Sequence, residues 1–185
     1  MGTNKKVEST SKFLSLILRH EPQLIGLTFG EGGWVHVDDL LPRCAQANKP
    51  ISYELLKEVV ETSDKKRFAL SKDGTHIRAN QGHSVAVDLG LSVTTPPDKL
   101  FHGTASRFLE AIWAQGLTRR ERHHVHLTAK LDVAMSVGQR HGQPVILEVD
   151  ALQMHLDGHK FFQSDNAVWL VDAVAVRYMR LLPQE

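Results

Sequence analysis

The chain has a single cysteine, Cys44, among 185 residues. It can therefore build neither an internal disulfide framework nor a cysteine-based zinc site, and it suits a reducing compartment. It also lacks any run of about 18 apolar residues that could cross a bilayer, and its N-terminus carries no apolar signal region. Gly2 resembles a myristoylation site, but Lys6 stands where that signal requires Ser or Thr. A cytoplasmic protein without membrane contact is expected. Charge of one sign is missing as well. Lys plus Arg number 22 and Asp plus Glu 21, for a net charge of +1, so affinity for nucleic acid would have to come from local clusters rather than bulk charge. No Gly-x-Gly-x-x-Gly occurs, which argues against a Rossmann mode of holding a dinucleotide.

What the chain does have is an ordinary globular composition, 42% hydrophobic and 23% charged, divided by Pro96-Pro97. Adjacent prolines continue neither a helix nor a central strand, so two units are expected, residues 1–93 and 94–185. In the first, Ser9 or Ser11 can cap a helix with Phe13, Leu16 and Ile17 on its core face. Pro22 stops that helix, leaving Arg19 and His20 in its last turn, where the helix dipole favours cations. Gly32-Gly33 leads into a strand at Trp34–Val37, Asp38 caps a helix running to about Ala47, and Ser52 caps a third. Asp73-Gly74 marks a hairpin between 65–70 and 76–79. Helices followed by such a wing predict a winged-helix-like lobe. Lys65, Lys66, Arg67 and Arg78 make one end of the wing cationic, and the polar run Asn80-Gln81-Gly82-His83-Ser84 after it is a candidate binding loop.

The second half opens with His102-Gly103-Thr104, where a glycine lets backbone approach a bound group while His and Thr offer directed hydrogen bonds. A helix follows, with Phe108, Leu109, Ile112 and Trp113 on a core-facing stripe and Gly116 at its C-terminus. Residues 119–128 pack Arg119, Arg120, Arg122, His123, His124 and His126 into ten positions. Period-two spacing would put His124 and His126 on one strand face, but no third ligand is spaced to complete a zinc site. A helix to about Arg140, a strand from Val145 to Val149, a polar link through Gly158, a strand at Val168–Val171 and a last strand from Val174 to Leu182 complete an α+β chain.

Taken together, these segments resemble one family, the RNA 2'-phosphotransferases. The resemblance is carried by Ser11-Lys12-Phe13-Leu14-Ser15 through Leu18-Arg19-His20, by Thr62 to Phe68, and by Ile77 to Ser84. Further along it is carried by Phe101-His102-Gly103-Thr104, Arg122 to Leu127, Val137 to Gly142 and Val168-Trp169-Leu170. It implies a winged-helix-like RNA lobe followed by an ADP-ribosyltransferase-like split β lobe in a monomer that uses no metal. The implied reaction removes an internal RNA 2'-phosphate with NAD, as at tRNA splice junctions. The 2'-phosphate attacks C1'' of the nicotinamide-side ribose and expels nicotinamide; the ribose 2''-hydroxyl then attacks phosphorus. The products are 2'-OH RNA and ADP-ribose 1'',2''-cyclic phosphate.

The resemblance places the catalytic set on Arg19, His20, Arg67 and Arg122, and NAD contacts on His102, Gly103, Thr104, Gly138, Arg140 and Gly142. Lys65, Arg78, Gln81, His83 and Ser84 would bind RNA. Arginine suits such a set because its planar fork grips phosphate and stays charged. Protein-modifying relatives of the second lobe use a glutamate near their third motif, and none occurs between His155 and Gln184, in keeping with a phosphate acceptor. One departure is Ala167, where the family usually has Gly. Two other classes compete. His102-Gly103-Thr104 and His126-Leu127-Thr128 form two His-x-Thr pairs like those of metal-free phosphoesterases, which need no NAD, and a non-enzymatic RNA-binding protein would leave the second cluster unused.

Overall fold

The structure is a computed structural model and describes residues 2–63 and 66–183. It divides into two compact units, Met1–Gly90 and Leu91–Glu185, each with its own buried apolar cluster. The chain is α+β, built of helices and small antiparallel sheets.

In the first unit, helix α1 (Gly2–Arg19) begins well before the expected caps. Ser9 therefore lies inside the helix and turns its hydroxyl back onto the Lys6 carbonyl at 3.0 Å, the usual recourse of a mid-helix serine. Leu14, Ile17 and Leu18 are fully buried, and Pro22 opens a 3₁₀ turn, Pro22–Ile25, just beyond the helix end. Strand β1 is only Val35–His36. Helix α2 (Val37–Gln46) starts at Val37, so Asp38 is a first-turn acid rather than the cap, a placement the helix dipole favours. Helix α3 (Tyr53–Glu61) is capped by Ser52, whose Oγ accepts from the Leu55 N–H at 3.2 Å. Strands β2 (Phe68–Leu70) and β3 (His76–Ala79) form the expected hairpin around Asp73-Gly74. The far edge of β3 takes β1, giving the order β1-β3-β2.

In the second unit, β4 (Lys99–Ala105) pairs along its whole length with β7 (Pro144–Asp150), and β11 (Met179–Leu181) lies on the other side of β7. A second sheet has the order β6-β9-β8, from Val125–Leu127, Trp169–Val171 and Phe162–Gln163. A third pairs β5 (Leu117–Thr118) with β10 (Ala173–Val174). Helices α4 (Leu109–Gln115), α5 (Leu131–Gly138) and α6 (Ala151–Leu156) connect them.

Four further expectations fail in the second unit. The polar link before Gly158 is a helix, α6, capped by Asp150 through the Gln153 N–H. The last strand is broken by a 3₁₀ turn at Val176–Tyr178. Trp113 stands 36% exposed instead of closing the core, because α4 spans only two turns and buries little beyond Ile112. His124 precedes β6 rather than sharing a face with His126, and its ring leans on Phe162 at 5.5 Å.

Candidate active site

Arg19 closes α1, and two parts of the same unit converge on it. Its Nη2 donates to the Arg67 carbonyl at 3.2 Å, and its guanidinium lies 5.8 Å from the centre of the Phe68 ring. Its carbonyl accepts from the Ser84 N–H at 2.9 Å, while Ser84 Oγ is 2.9 Å from His20 Nδ1. The end of α1, the lead-in to β2 and the loop after β3 are thus stitched together at Arg19, His20, Arg67 and Ser84. Asn80 completes the knot, with its N–H donating to the Arg67 carbonyl at 3.0 Å and its Nδ2 to the Lys66 carbonyl at 2.6 Å.

The other candidate RNA contacts sit around this knot. Arg78 is stacked on Trp34 at 4.6 Å and reaches the Gly32 carbonyl at 3.3 Å, so its guanidinium is held in a fixed plane. His83 is buried, with its ring edge-on to Phe29 at 6.3 Å, and supports the loop from inside. Gln81 is half-buried, and its Oε1 is enclosed without a hydrogen-bond partner among the described residues. Lys65 lies outside the described residues. Trp34 was not singled out in the sequence; its role follows from β1 pairing with β3, a register that no local pattern signals.

In the second unit, β4 carries His102 and Thr104 on the side shared with Leu100, opposite that of Gly103. On the Gly103 side α5 presses directly onto the strand. A Cβ at Gly103 would stand 1.7 Å from the Ala134 carbonyl oxygen, and one at Gly138 would stand 2.6 Å from the Thr104 carbonyl oxygen. These two glycines interlock β4 with α5, so their immediate work is packing. His102 Nδ1 lies 3.1 Å from the His126 carbonyl oxygen. A carbonyl only accepts, so Nδ1 carries the proton and Nε2 is left as an acceptor. Burial pushes the His102 pKa down, and the Arg122 charge adds to that, outweighing the carbonyl bond that raises it. The ring is therefore neutral near pH 7.

Thr104 is buried, and its hydroxyl makes no hydrogen bond among the described residues. Arg122 is exposed on the turn before β6, its N–H bonded to the Arg119 carbonyl at 3.0 Å. Arg140 projects from the turn Gln139–His141, and Gly142 follows it at φ 131°. Among the described residues no group of three or more His, Cys, Asp or Glu could hold a metal ion.

Residues 4–173 match the family described as RNA 2'-phosphotransferase, Tpt1 / KptA family. The chain belongs to the RNA 2'-phosphotransferase family. It is 52% identical over 180 residues to the protein named "Probable RNA 2'-phosphotransferase" of Rhodopirellula baltica, covering 97% of this chain and 98% of that one. To those of the same name from Acaryochloris marina and Agrobacterium fabrum it is 50% identical over 175 residues and 54% over 171. These matches cover 95% and 92% of this chain and 97% and 92% of theirs. An RNA 2'-phosphotransferase is a transferase that acts on a phosphate of RNA, and the chain is an enzyme of that kind. Among the described residues, no helix is long and apolar enough to cross a membrane.

Proposed function

We propose that this phosphotransferase removes an internal RNA 2'-phosphate with NAD as the acceptor, passing through an RNA-2'-phospho-ADP-ribose intermediate. The products are 2'-OH RNA, nicotinamide and ADP-ribose 1'',2''-cyclic phosphate. In this reading the first unit is a winged-helix-like RNA lobe and the second an ADP-ribosyltransferase-like lobe, in a cytoplasmic monomer acting on RNA such as spliced tRNA. The observation that carries it is the knot at the Arg67 carbonyl, which ties Arg19 and Arg67 to one stretch of backbone with His20 beside them. An arginine side chain and an imidazole joined to the backbone that carries a second arginine suit one phosphate.

The second unit offers groups that fit NAD. His102 Nε2 is an acceptor and the Thr104 hydroxyl is uncommitted, both on the same side of β4. That pair suits the hydroxyls of a ribose. Arg140 and Gly142 extend the cofactor set by resemblance.

In the first step a phosphate oxygen bonds to C1'' as the bond from C1'' to nicotinamide nitrogen breaks. The nucleophile is already an anion and needs positioning rather than a base. In the second step the ribose 2''-oxygen bonds to phosphorus, the bond to the RNA 2'-oxygen breaks, and the hydroxyl proton ends on that departing oxygen. Charge then builds on phosphoryl oxygens, where guanidiniums such as those of Arg19 and Arg67 lower its energy; Arg122 joins the catalytic set by resemblance alone. His20, held by Ser84, serves either as a hydrogen-bond partner of the phosphate or as carrier of the proton in this step. The test is to incubate an oligoribonucleotide bearing one internal 2'-phosphate with the enzyme, with and without NAD and with EDTA. Conversion to 2'-OH is expected only with NAD and unchanged by EDTA; full conversion without NAD would point to a phosphoesterase and end the proposal.

A further inference from the structure

We propose that Asn80 is a positioning residue for Arg67, fixing the direction in which that side chain leaves the backbone. The inference rests on the reading above, in that it takes Arg67 as a ligand of the phosphate. Two peptide groups flank the Arg67 Cα, and Asn80 holds both. Its Nδ2 donates to the Lys66 carbonyl at 2.6 Å, and its N–H donates to the Arg67 carbonyl at 3.0 Å, which also receives Arg19. Fixing the two peptide planes fixes φ and ψ of Arg67, and with them its Cα–Cβ bond. The preceding residue shows why a clamp is needed. Lys66 sits at φ 40°, a left-handed conformation disfavoured for any residue with a side chain, and the Ser63 carbonyl and hydroxyl hold the same turn from the Lys66 and Arg67 N–H groups.

Asn80 is itself an unusual choice for its position. It is 6% exposed, and its Oδ1 is enclosed with no hydrogen-bond partner among the described residues. Enclosing an unused acceptor is unfavourable, and alanine would avoid that. The amide therefore has a use on its nitrogen side, and that use is the Lys66 carbonyl. Without the donor, the turn at Lys66 relaxes toward ordinary φ, and the Arg67 guanidinium at the end of its long side chain moves with it. A displacement of about 1 Å in a phosphate ligand is enough for a hundred-fold loss.

The test is a double-mutant cycle on single-turnover conversion of the 2'-phosphorylated oligoribonucleotide, with circular dichroism confirming the folded fraction. Asn80→Ala is expected to slow conversion about 10- to 100-fold per folded molecule, but to cost nothing further in an Arg67→Ala background. Lys66→Gly, which adopts the left-handed turn unaided, should restore part of the rate to Asn80→Ala. If Asn80→Ala does not fold, the isosteric Asn80→Asp keeps the question open to test. It loses the donor when ionised and regains it when protonated, so its rate relative to wild type should rise as pH falls. Independent, multiplying effects of the Asn80 and Arg67 substitutions would overturn the inference while leaving the reading of Arg67 intact. An Arg67→Ala enzyme as fast as wild type would instead overturn that reading.

Discussion

Replacing Ala167 with glycine should stabilise the protein, although it removes a side chain. Ala167 lies at φ 62° in an exposed turn. The turn is closed by the Ala167 N–H on the Ser164 carbonyl at 2.8 Å and by the Ser164 N–H on the Val168 carbonyl at 3.0 Å. The Ser164 hydroxyl caps it from within, receiving the Val168 N–H at 3.2 Å. This geometry is imposed by the entry into β9, so Ala167 cannot relax to negative φ without breaking the turn. Holding a Cβ in the left-handed region costs about 1–2 kcal/mol, whereas glycine forfeits about 0.4–1 kcal/mol by enlarging the conformational freedom of the unfolded chain. Because Ala167 is exposed, little packing is lost. The balance is a gain of roughly 0.5–1 kcal/mol, which for a chain of this size raises Tm by about 1–4 °C. Thermal unfolding of wild type and Ala167→Gly, followed by circular dichroism and calorimetry, measures it. An unchanged or lower Tm would mean that the turn is not held left-handed at this residue.

Gly103→Ala should be far more damaging, by about 3 kcal/mol at the upper end of overpacking, because its Cβ would strike the Ala134 carbonyl oxygen at 1.7 Å. Urea unfolding would show the loss, and a stability equal to wild type would refute the interlock of β4 and α5. Acid should weaken the fold through His102, whose folded pKa lies below the ordinary value of about 6.5. Below that value the unfolded chain binds the proton more readily, so this stability is present above about pH 6.5 and is lost as pH falls through the folded pKa. Between pH 7.5 and 5 the Tm of wild type should therefore drop more than that of His102→Gln, and parallel curves would contradict the assignment. Arg67→Ala and Arg122→Ala should slow the second step roughly a hundred- to a thousand-fold, or about 2.7–4 kcal/mol. RNA-2'-phospho-ADP-ribose would then accumulate as a slower gel species; unreacted RNA with normal NAD binding would show that the arginines serve docking or the first step.

The features that local chemistry writes into the sequence were legible in it. The Ser52 cap, the Asp73-Gly74 hairpin and the end of α1 before Pro22 each depend on residues a few positions apart. The failures share a different cause. Helix α1 starts before Ser9 and runs through its serines. Trp113 is exposed because α4 is short, and α6 forms in a stretch whose polarity suggested a link. In each case packing or length overrode a local signal. For the site, the residue types and their order pointed to the RNA 2'-phosphotransferase family through resemblance. The partnerships did not: Asn80 with Lys66, Trp34 with Arg78, and Gly103 with Ala134 join residues 14 to 44 positions apart. Such pairs depend on strand order and helix docking, which composition and periodicity leave open.

The fate of the phosphate tests the NAD-dependent reaction most directly. An oligoribonucleotide labelled with ³²P at one internal 2'-phosphate, incubated with the enzyme and NAD, allows the label to be followed by thin-layer chromatography beside released nicotinamide. All of the lost label is expected as ADP-ribose 1'',2''-cyclic phosphate, with one nicotinamide formed for each phosphate removed. Label appearing as inorganic phosphate, with no matching nicotinamide, would contradict it.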